Sequence, residues 1–237
     1  ARYASTRLPG KPLKDIAGKP MICRVFDRAA KAQKVSAALV ATDDQRIYDA
    51  VRQHGGNAVM TRADHPTGTD SLAEVAEKYP DVDLIINVQG DEPLIEPSLI
   101  DDLATVFEQD ADLQMATVCT EIKDPEEQKN PNNVKVVMDK NGFALYFSRS
   151  LMPYPRHTGT PVYKHIGIYA YKRDFLLRYA KLPQTAVEHA ESLEQLRALE
   201  NGVRIKVIKT PGQVVGDDTA EELAKVSGIV RQMENTA

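Results

Sequence analysis

Short apolar runs and longer amphipathic stretches alternate along the first half of the chain, and the alternation outlines a fold. Across 21–34 the apolar residues Ile22, Val25, Phe26 and Ala29 recur at intervals of three and four, the spacing of one helix face. A β-like run at 35–41 leads into Asp43 and Asp44, favourable first-turn residues for a helix over 45–54 that Gly55 and Gly56 end. A short strand at 58–60, a helix at 68–78 and the apolar run D-L-I-I-N-V at 83–88 follow. That last run is the strongest buried-strand signal in the chain. Pro97 opens a helix reaching about Gln109, and 113–120 returns to strand. Such βαβαβ order predicts an α/β protein, with helices on both faces of an open, mostly parallel sheet.

After Asp124 the rhythm changes. Residues 134–138 and 143–148, separated by Lys140-Asn141-Gly142, read as a hairpin, and a Pro-rich stretch and a strand at 163–171 come next. A helix is expected at 187–200 with Ala190, Leu193 and Leu196 in its stripe, then a strand at 204–208 and a terminal helix at 219–233. No repeat or linker interrupts the pattern, so the expectation is one domain over 1–237, with a smaller mixed or antiparallel subregion inserted at about 134–185.

Composition narrows the class without naming a function. At 237 residues, 42% hydrophobic and 27% charged, the chain is ordinary for a globular protein, and no run approaches a membrane span. A net charge of −4 argues against a general nucleic-acid binder. Cys23 and Cys119 stand far apart with no C-x-x-C, so two reduced, buried thiols and a cytoplasmic protein are expected.

The candidate chemistry begins in A-R-Y-A-S-T-R-L-P-G-K-P-L at 1–13. Pro9 and Pro12 forbid a continuous helix and leave a stiff loop bearing Arg2, Arg7 and Lys11, with Ser5 and Thr6 between them. Forked guanidinium groups, a point-charge ammonium, hydroxyls and free amides together suit a polyphosphate; the other reading is a solvated basic terminus. Pro12 after Lys11 excludes a Walker A loop. Because phosphate loops normally follow a strand, a short apolar strand of roughly six to ten residues is expected ahead of Ala1.

The D-L-I-I-N-V strand runs into Gln89-Gly90-Asp91-Glu92-Pro93, beyond the strand's carboxyl end, where ligands sit in such sheets. A carboxylate there suits a divalent cation beside a nucleotide phosphate, and Gly90 permits close backbone approach. Asp217-Asp218 before Thr219 reads as a helix start or as a second metal ligand. Arg62 has two readings, contact with a base or phosphate and pairing with Asp64. Strand alternation places His165, Gly167 and Tyr169 on one face, either around a polar ligand or packed against helices. Arg149 is a candidate for a substrate carboxylate, while Glu194 and Gln195 read as solvent-facing.

Taken together, these segments resemble the 3-deoxy-D-manno-octulosonate (Kdo) cytidylyltransferases, through the opening loop, M-T-R-A-D-H, N-V-Q-G-D-E-P, N-P-N-N-V-K-V-V, A-L-Y-F-S-R, H-x-G-I-Y, L-E-Q-L-R and G-D-D-T. The opening loop and N-V-Q-G-D-E-P are shared more loosely with related sugar nucleotidyltransferases; F-S-R, H-x-G-I-Y and L-E-Q-L-R carry the Kdo-specific likeness. The resemblance implies a three-layer, Rossmann-like fold of the nucleotide-diphospho-sugar transferase kind. It implies a Mg²⁺-dependent transfer of CMP from CTP to Kdo, giving CMP-Kdo and pyrophosphate for lipopolysaccharide assembly. By the same resemblance CTP falls to Arg2, Ser5, Thr6, Arg7, Lys11, Arg62 and Gln89, with Lys11, Asp91 and Asp218 catalytic and the two aspartates holding metal. Sugar contacts fall to Arg149, His165, Tyr169, Glu194 and Gln195, and the 134–185 subregion to sugar binding and a homodimer. G-D-D-T departs from the more usual V-D-T-P, which sets Asp217 beside Asp218 as a competing ligand. Rival readings are a cytidylyltransferase for another acidic sugar such as sialic acid, a glycosyltransferase, and a non-catalytic nucleotide-binding module.

Overall fold

The computed structural model describes residues 1–3, 10–157, 159–211 and 220–236. In chain order these form β1 (Asp15–Ile16), β2 (Lys19–Pro20), α1 (Met21–Ala29), β3 (Val40–Thr42), α2 (Gln45–Gln53), β4 (Ala58–Met60), α3 (Gly68–Glu77) and β5 (Leu84–Asn87). There follow α4 (Pro97–Gln109), β6 (Met115–Ile122), α5 (Pro125–Lys129), β7 (Lys135–Met138), β8 (Ala144–Ser148), β9 (Val162–Lys172) and α6 (Arg173–Tyr179). Last come α7 (Ala186–Glu191), α8 (Gln195–Glu200), β10 (Ile205–Lys209) and α9 (Ala220–Thr236).

Contacts divide the chain into two compact units, Ala1–Pro80 with Val88–Asp101 and Val214–Ala237, and Asp81–Asn87 with Asp102–Gln213. In the first unit β3 and β4 pair in parallel, in register from Val40↔Ala58 to Thr42↔Met60. Helix α2 between them starts where the Asp44 carboxylate accepts the Arg46 N–H, leaving the acid as N-cap. Thr67 and Asp70 form a reciprocal capping box at the start of α3. Ile22, Cys23, Val40, Ile47 and Val51 make one core cluster of this unit; Ile16, Met21, Val226 and Val230 make another, packing α9. The buried Arg24 ties the second cluster together, donating to the carbonyls of Ile16 and Ala17 and pairing with Glu234 at 2.7 Å.

The second unit is built on β9. It pairs antiparallel with β5, β6 and β7; β10 joins β6 in parallel, and β8 joins β7. Of the strands within 134–185, β7 and β8 pair with each other and β7 joins the sheet through β9. Against β6 the β9 strand slips register between Thr117 and Val118, a bulge at Gly167-Ile168. Ala116, Val118, Ile168, Ala170, Phe147, Leu176 and Leu196 are at most 2% exposed, and each of the larger ones contributes about 1.5–3 kcal/mol of burial.

Several sequence expectations are corrected here. Helix α1 ends at Ala29, well short of residue 34, and of the run 35–41 only Val40 and Ala41 enter β3. Within the D-L-I-I-N-V run Leu84–Asn87 form β5, each half-buried rather than buried, and β5 hydrogen-bonds to β9. The single helix expected at 187–200 is two, α7 and α8, separated at Ser192, whose φ of 51° is left-handed. That break exposes Ala190 and turns Gln195 inward to 5% exposure and Glu194 to half-burial, overturning the solvent-facing reading of both. Among the described residues no helix is long and apolar enough to cross a membrane.

Candidate active site

The opening loop is anchored at both of its described ends. Gly10 donates its N–H to the Tyr3 carbonyl at 3.0 Å and sits at φ 70°, where a Cβ would strike the Tyr3 ring at 3.0 Å. Arg46 stacks on the opposite partner of that contact, its guanidinium 3.4 Å from the Tyr3 ring centroid. The chain then makes a tight turn over Lys11–Leu13, with Pro12 at a position that needs no N–H.

This turn delivers Lys11 to Asp91. The Lys11 side chain is 7% exposed and its Nζ lies 3.0 Å from Asp91 Oδ2, whereas the Asp91 side chain stays 46% exposed. Gly90 explains the approach, since a Cβ there would lie 3.2 Å from Ala1 Cβ and 3.3 Å from Ile22 Cδ1. A half-solvated carboxylate, steadied on one oxygen by an ammonium, is a hard-oxygen donor of the kind Mg²⁺ takes alongside waters and phosphates. Asp217 and Asp218 lie outside the described residues, as do Ser5, Thr6 and Arg7.

Arg2 reaches the segment after β4, donating to the carbonyls of His65 at 2.9 Å and Thr67 at 3.3 Å. Arg62, in that segment, forks onto both oxygens of Asp64 at 2.9 and 2.8 Å. Pairing with Asp64, one of its two sequence readings, is thus the observed state. Glu74 braces the segment from below: Lys78, the Arg62 N–H and His65 all bond it, and they hold its carboxyl down at about 2. Gln89 is exposed, its carbonyl accepting the Glu92 N–H.

All five sugar-assigned residues belong to the second unit. His165 is 9% exposed, edge-on to Phe147 at 5.0 Å and beside Tyr169 at 5.3 Å. The ring row continues through Tyr171 to Tyr179, so His165 and Tyr169 do share a face. The His165 Nε2 bonds Thr117 Oγ1 at 3.0 Å, and burial pushes its pKa down to about 3, leaving the ring neutral. Burial likewise pushes the Tyr169 hydroxyl up, with Glu194 adding to the effect. Gln195 is buried, and among the described residues its Nε2 has no hydrogen-bond partner.

Arg149, at the end of β8, is held almost wholly by carbonyls. Its Nε donates to Glu191 at 2.8 Å, one terminal nitrogen to Pro131 at 3.2 Å and the other to Ser192 at 3.4 Å. The Glu191 carboxylate meanwhile takes the Arg149 N–H and the Ser148 hydroxyl rather than the guanidinium. The cation is thus oriented but, among the described residues, not neutralised by a carboxylate in contact, and each terminal nitrogen keeps a second N–H for a forked anion.

The chain matches the cytidylyltransferase family model over residues 1–205. It is 53% identical, over 98% of its length and 95% of the relative's, to a 3-deoxy-manno-octulosonate cytidylyltransferase of Fusobacterium nucleatum. A protein of the same name from Geobacter sulfurreducens is 50% identical over 95% of each chain. The chain belongs to the 3-deoxy-manno-octulosonate cytidylyltransferase family. A solved CMP:2-keto-3-deoxy-manno-octonic acid synthetase complexed with CTP superposes with a TM-score of 0.94 at 47% identity, covering 98% of this chain and 96% of that one. A 4-diphosphocytidyl-2C-methyl-D-erythritol synthase from Anaerococcus prevotii, at 13% identity and a TM-score of 0.64, shows the shared nucleotidyltransferase fold alone.

For this cytidylyltransferase, sequence reasoning missed a buried layer behind the sugar-assigned residues. Glu188 and Arg197 form a two-pronged ion pair at 2.5 and 2.8 Å with side chains 5% and 8% exposed. Burial raises the Glu188 pKa, yet the bonds and charge of Arg197 win and leave it lowered. Lys135 and Glu191 also went unnoticed. A lysine in the otherwise apolar run of β7 was the available signal.

Proposed function

We infer that this protein transfers CMP from CTP to the anomeric hydroxyl of 3-deoxy-manno-octulosonate, releasing pyrophosphate. What carries the reading is the extent of the likeness: a relative bearing that name matches at 53% identity over 98% of the chain, so nucleotide-assigned and sugar-assigned segments are both covered.

The hydroxyl attacks the α-phosphorus in line and pyrophosphate leaves, a reaction in which protein groups chiefly position and stabilise charge. We assign the triphosphate to Arg2, Lys11 and Arg62, with Ser5, Thr6, Arg7 and Gln89 completing the set. Arg62, exposed and chelated by Asp64, can exchange that carboxylate for a phosphate. Asp91 and Asp218 are assigned to Mg²⁺, which when bound supplies positive charge to the phosphates and acidifies the attacking hydroxyl. Lys11 supports the assignment by holding one oxygen of Asp91 in place at 3.0 Å.

On the sugar side Arg149 is assigned to the Kdo carboxylate and His165, Tyr169, Glu194 and Gln195 to its hydroxyls. Neutral His165, at about 3, is too weak a base to take the proton at neutral pH, so its role is polar lining. The reading extends to a cytoplasmic homodimer serving lipopolysaccharide assembly. Two free, buried thiols support the compartment, and exposed Leu145 and Tyr154 within 134–185 support a subunit contact there.

The test is pyrophosphate release from CTP and Mg²⁺ with Kdo in one arm and sialic acid in the other. Release with Kdo, and at most trace release with sialic acid, is expected. Release with sialic acid alone would reassign the substrate, and CTP binding without release in either arm would leave a non-catalytic binding module.

A further inference from the structure

Lys135 is 0% exposed, and nothing in the established chemistry uses it. Burying an ammonium is costly unless it is fully bonded, and an apolar side chain would fill the same space in β7 at no such cost. Its Nζ donates to two carbonyls, Asn130 at 3.0 Å and Arg149 at 2.5 Å. Both lead to the same guanidinium. Arg149 carries it, and Asn130 precedes Pro131, whose carbonyl takes one of its terminal nitrogens.

Glu191 repeats the pattern from the other side. Its carboxylate accepts the Arg149 N–H at 2.9 Å and the Ser148 hydroxyl at 2.5 Å, and its carbonyl accepts Arg149 Nε at 2.8 Å. The peptide groups flanking the Arg149 Cα are thus clamped, the N–H by an anion and the C=O by a cation. Each clamping residue also governs a segment that orients the guanidinium. Charge-assisted bonds of this kind are short and strong, and here they fall on backbone, leaving the guanidinium to carbonyls only.

We propose that Lys135 and Glu191 are positioning residues that set Arg149 for the substrate carboxylate. The inference rests on the assignment of Arg149 to Kdo made above. Burial lowers the Lys135 pKa and Arg149 lowers it further, while Glu191 raises it, so the two clamps also support each other electrostatically. Neither side chain has to touch the sugar; their effect passes through Arg149.

The experiment compares steady-state kinetics of Lys135→Met, Glu191→Gln, Arg149→Ala and the Lys135→Met/Arg149→Ala double variant, with KM measured separately for Kdo and CTP. Either clamp variant should raise KM for Kdo about tenfold, as expected for a displaced binding group, with CTP KM and kcat within about twofold of the parent. In the Arg149→Ala background Lys135→Met should add almost nothing, because the two act as a unit. Equal losses for both substrates, or an undiminished Kdo effect without Arg149, would overturn the proposal and leave Lys135 a purely structural residue. If Lys135→Met does not fold, Glu191→Gln, altered at a half-buried position, decides by the same criteria. An unchanged Kdo KM in Arg149→Ala itself would instead remove the assignment of Arg149, and the clamp proposal with it.

Discussion

Lys11 and Asp91 in the first unit, and Arg149 and His165 in the second, show two ways of holding polar side chains. Asp91 keeps 46% of its side chain in solvent and is steadied by one ammonium. Arg2 and Arg62 rest on exposed carbonyls and on an exposed carboxylate. In the second unit a guanidinium is caged by carbonyls, a buried imidazole is held neutral, and a buried ion pair joins α7 to α8. Charged groups that must meet a polyphosphate and a cation gain from staying hydrated until the ligand arrives, since exposed pairs are weak and readily exchanged. A sugar acid has to be told from close analogues. That favours groups fixed in advance, because a site built to hydrogen-bond rejects whatever leaves its buried groups unpaired. Activity and stability should therefore separate on the first side and be coupled on the second.

The sharpest separation is expected at Asp91. Asp91→Asn keeps an acceptor for Lys11 and should lower turnover about a thousandfold, ~4 kcal/mol of barrier. Its thermal midpoint should barely move, because asparagine still offers the buried Lys11 an acceptor and the lost charge sat on a side chain that is 46% exposed. Calorimetric melting beside the pyrophosphate assay checks both halves. Turnover within tenfold of the parent would remove the metal-holding role from Asp91.

On the other side the coupling should appear as lost stability. Arg197→Leu leaves the Glu188 carboxylate buried at 5% exposure without its partner, which costs about 3 kcal/mol. Urea unfolding measures it; a loss under about 1 kcal/mol would mean that the pair is not integral to the unit.

A smaller, pH-dependent effect is expected from His165. Its folded pKa of about 3 lies below the ordinary value of 6.5, so within that window the unfolded chain binds the proton and the folded one does not. Its stabilising contribution is whole above pH 6.5 and declines as pH falls towards 3, by about 2 kcal/mol at pH 5. The loss of stability between pH 7 and pH 5 should be larger in the parent than in His165→Asn by about that amount. Equal losses would mean that burial does not hold the ring neutral.

How much of this was legible in the sequence depended on whether the signal was local. Pro97 and the Asn141-Gly142 turn state their structure within a few residues, and the elements there form where expected. Lys11 and Asp91 stand eighty positions apart; the rule that ligands gather beyond strand ends singled out Asp91 and the cationic loop singled out Lys11, but nothing local to either marks their contact at 3.0 Å. The break at Ser192 was not legible, because serine carries no mark of a left-handed residue as glycine does. Everything that followed from it was hidden too: Gln195 turned inward, Glu188 buried against Arg197, and Ser192 offering its carbonyl to Arg149. Helix α6 was missed because β9 runs into it without a loop, from Lys172 to Arg173. The assignments to Ser5, Thr6, Arg7 and Asp218 fall outside the described residues.

The division between the two sides is tested most directly by titrating CTP and Kdo separately, by calorimetry, into Lys11→Ala and Arg149→Ala. Lys11→Ala should weaken CTP at least tenfold and leave Kdo within about twofold of the parent, and Arg149→Ala should do the reverse, each tenfold being about 1.4 kcal/mol of binding. Equal losses of both ligands in both variants would contradict the account.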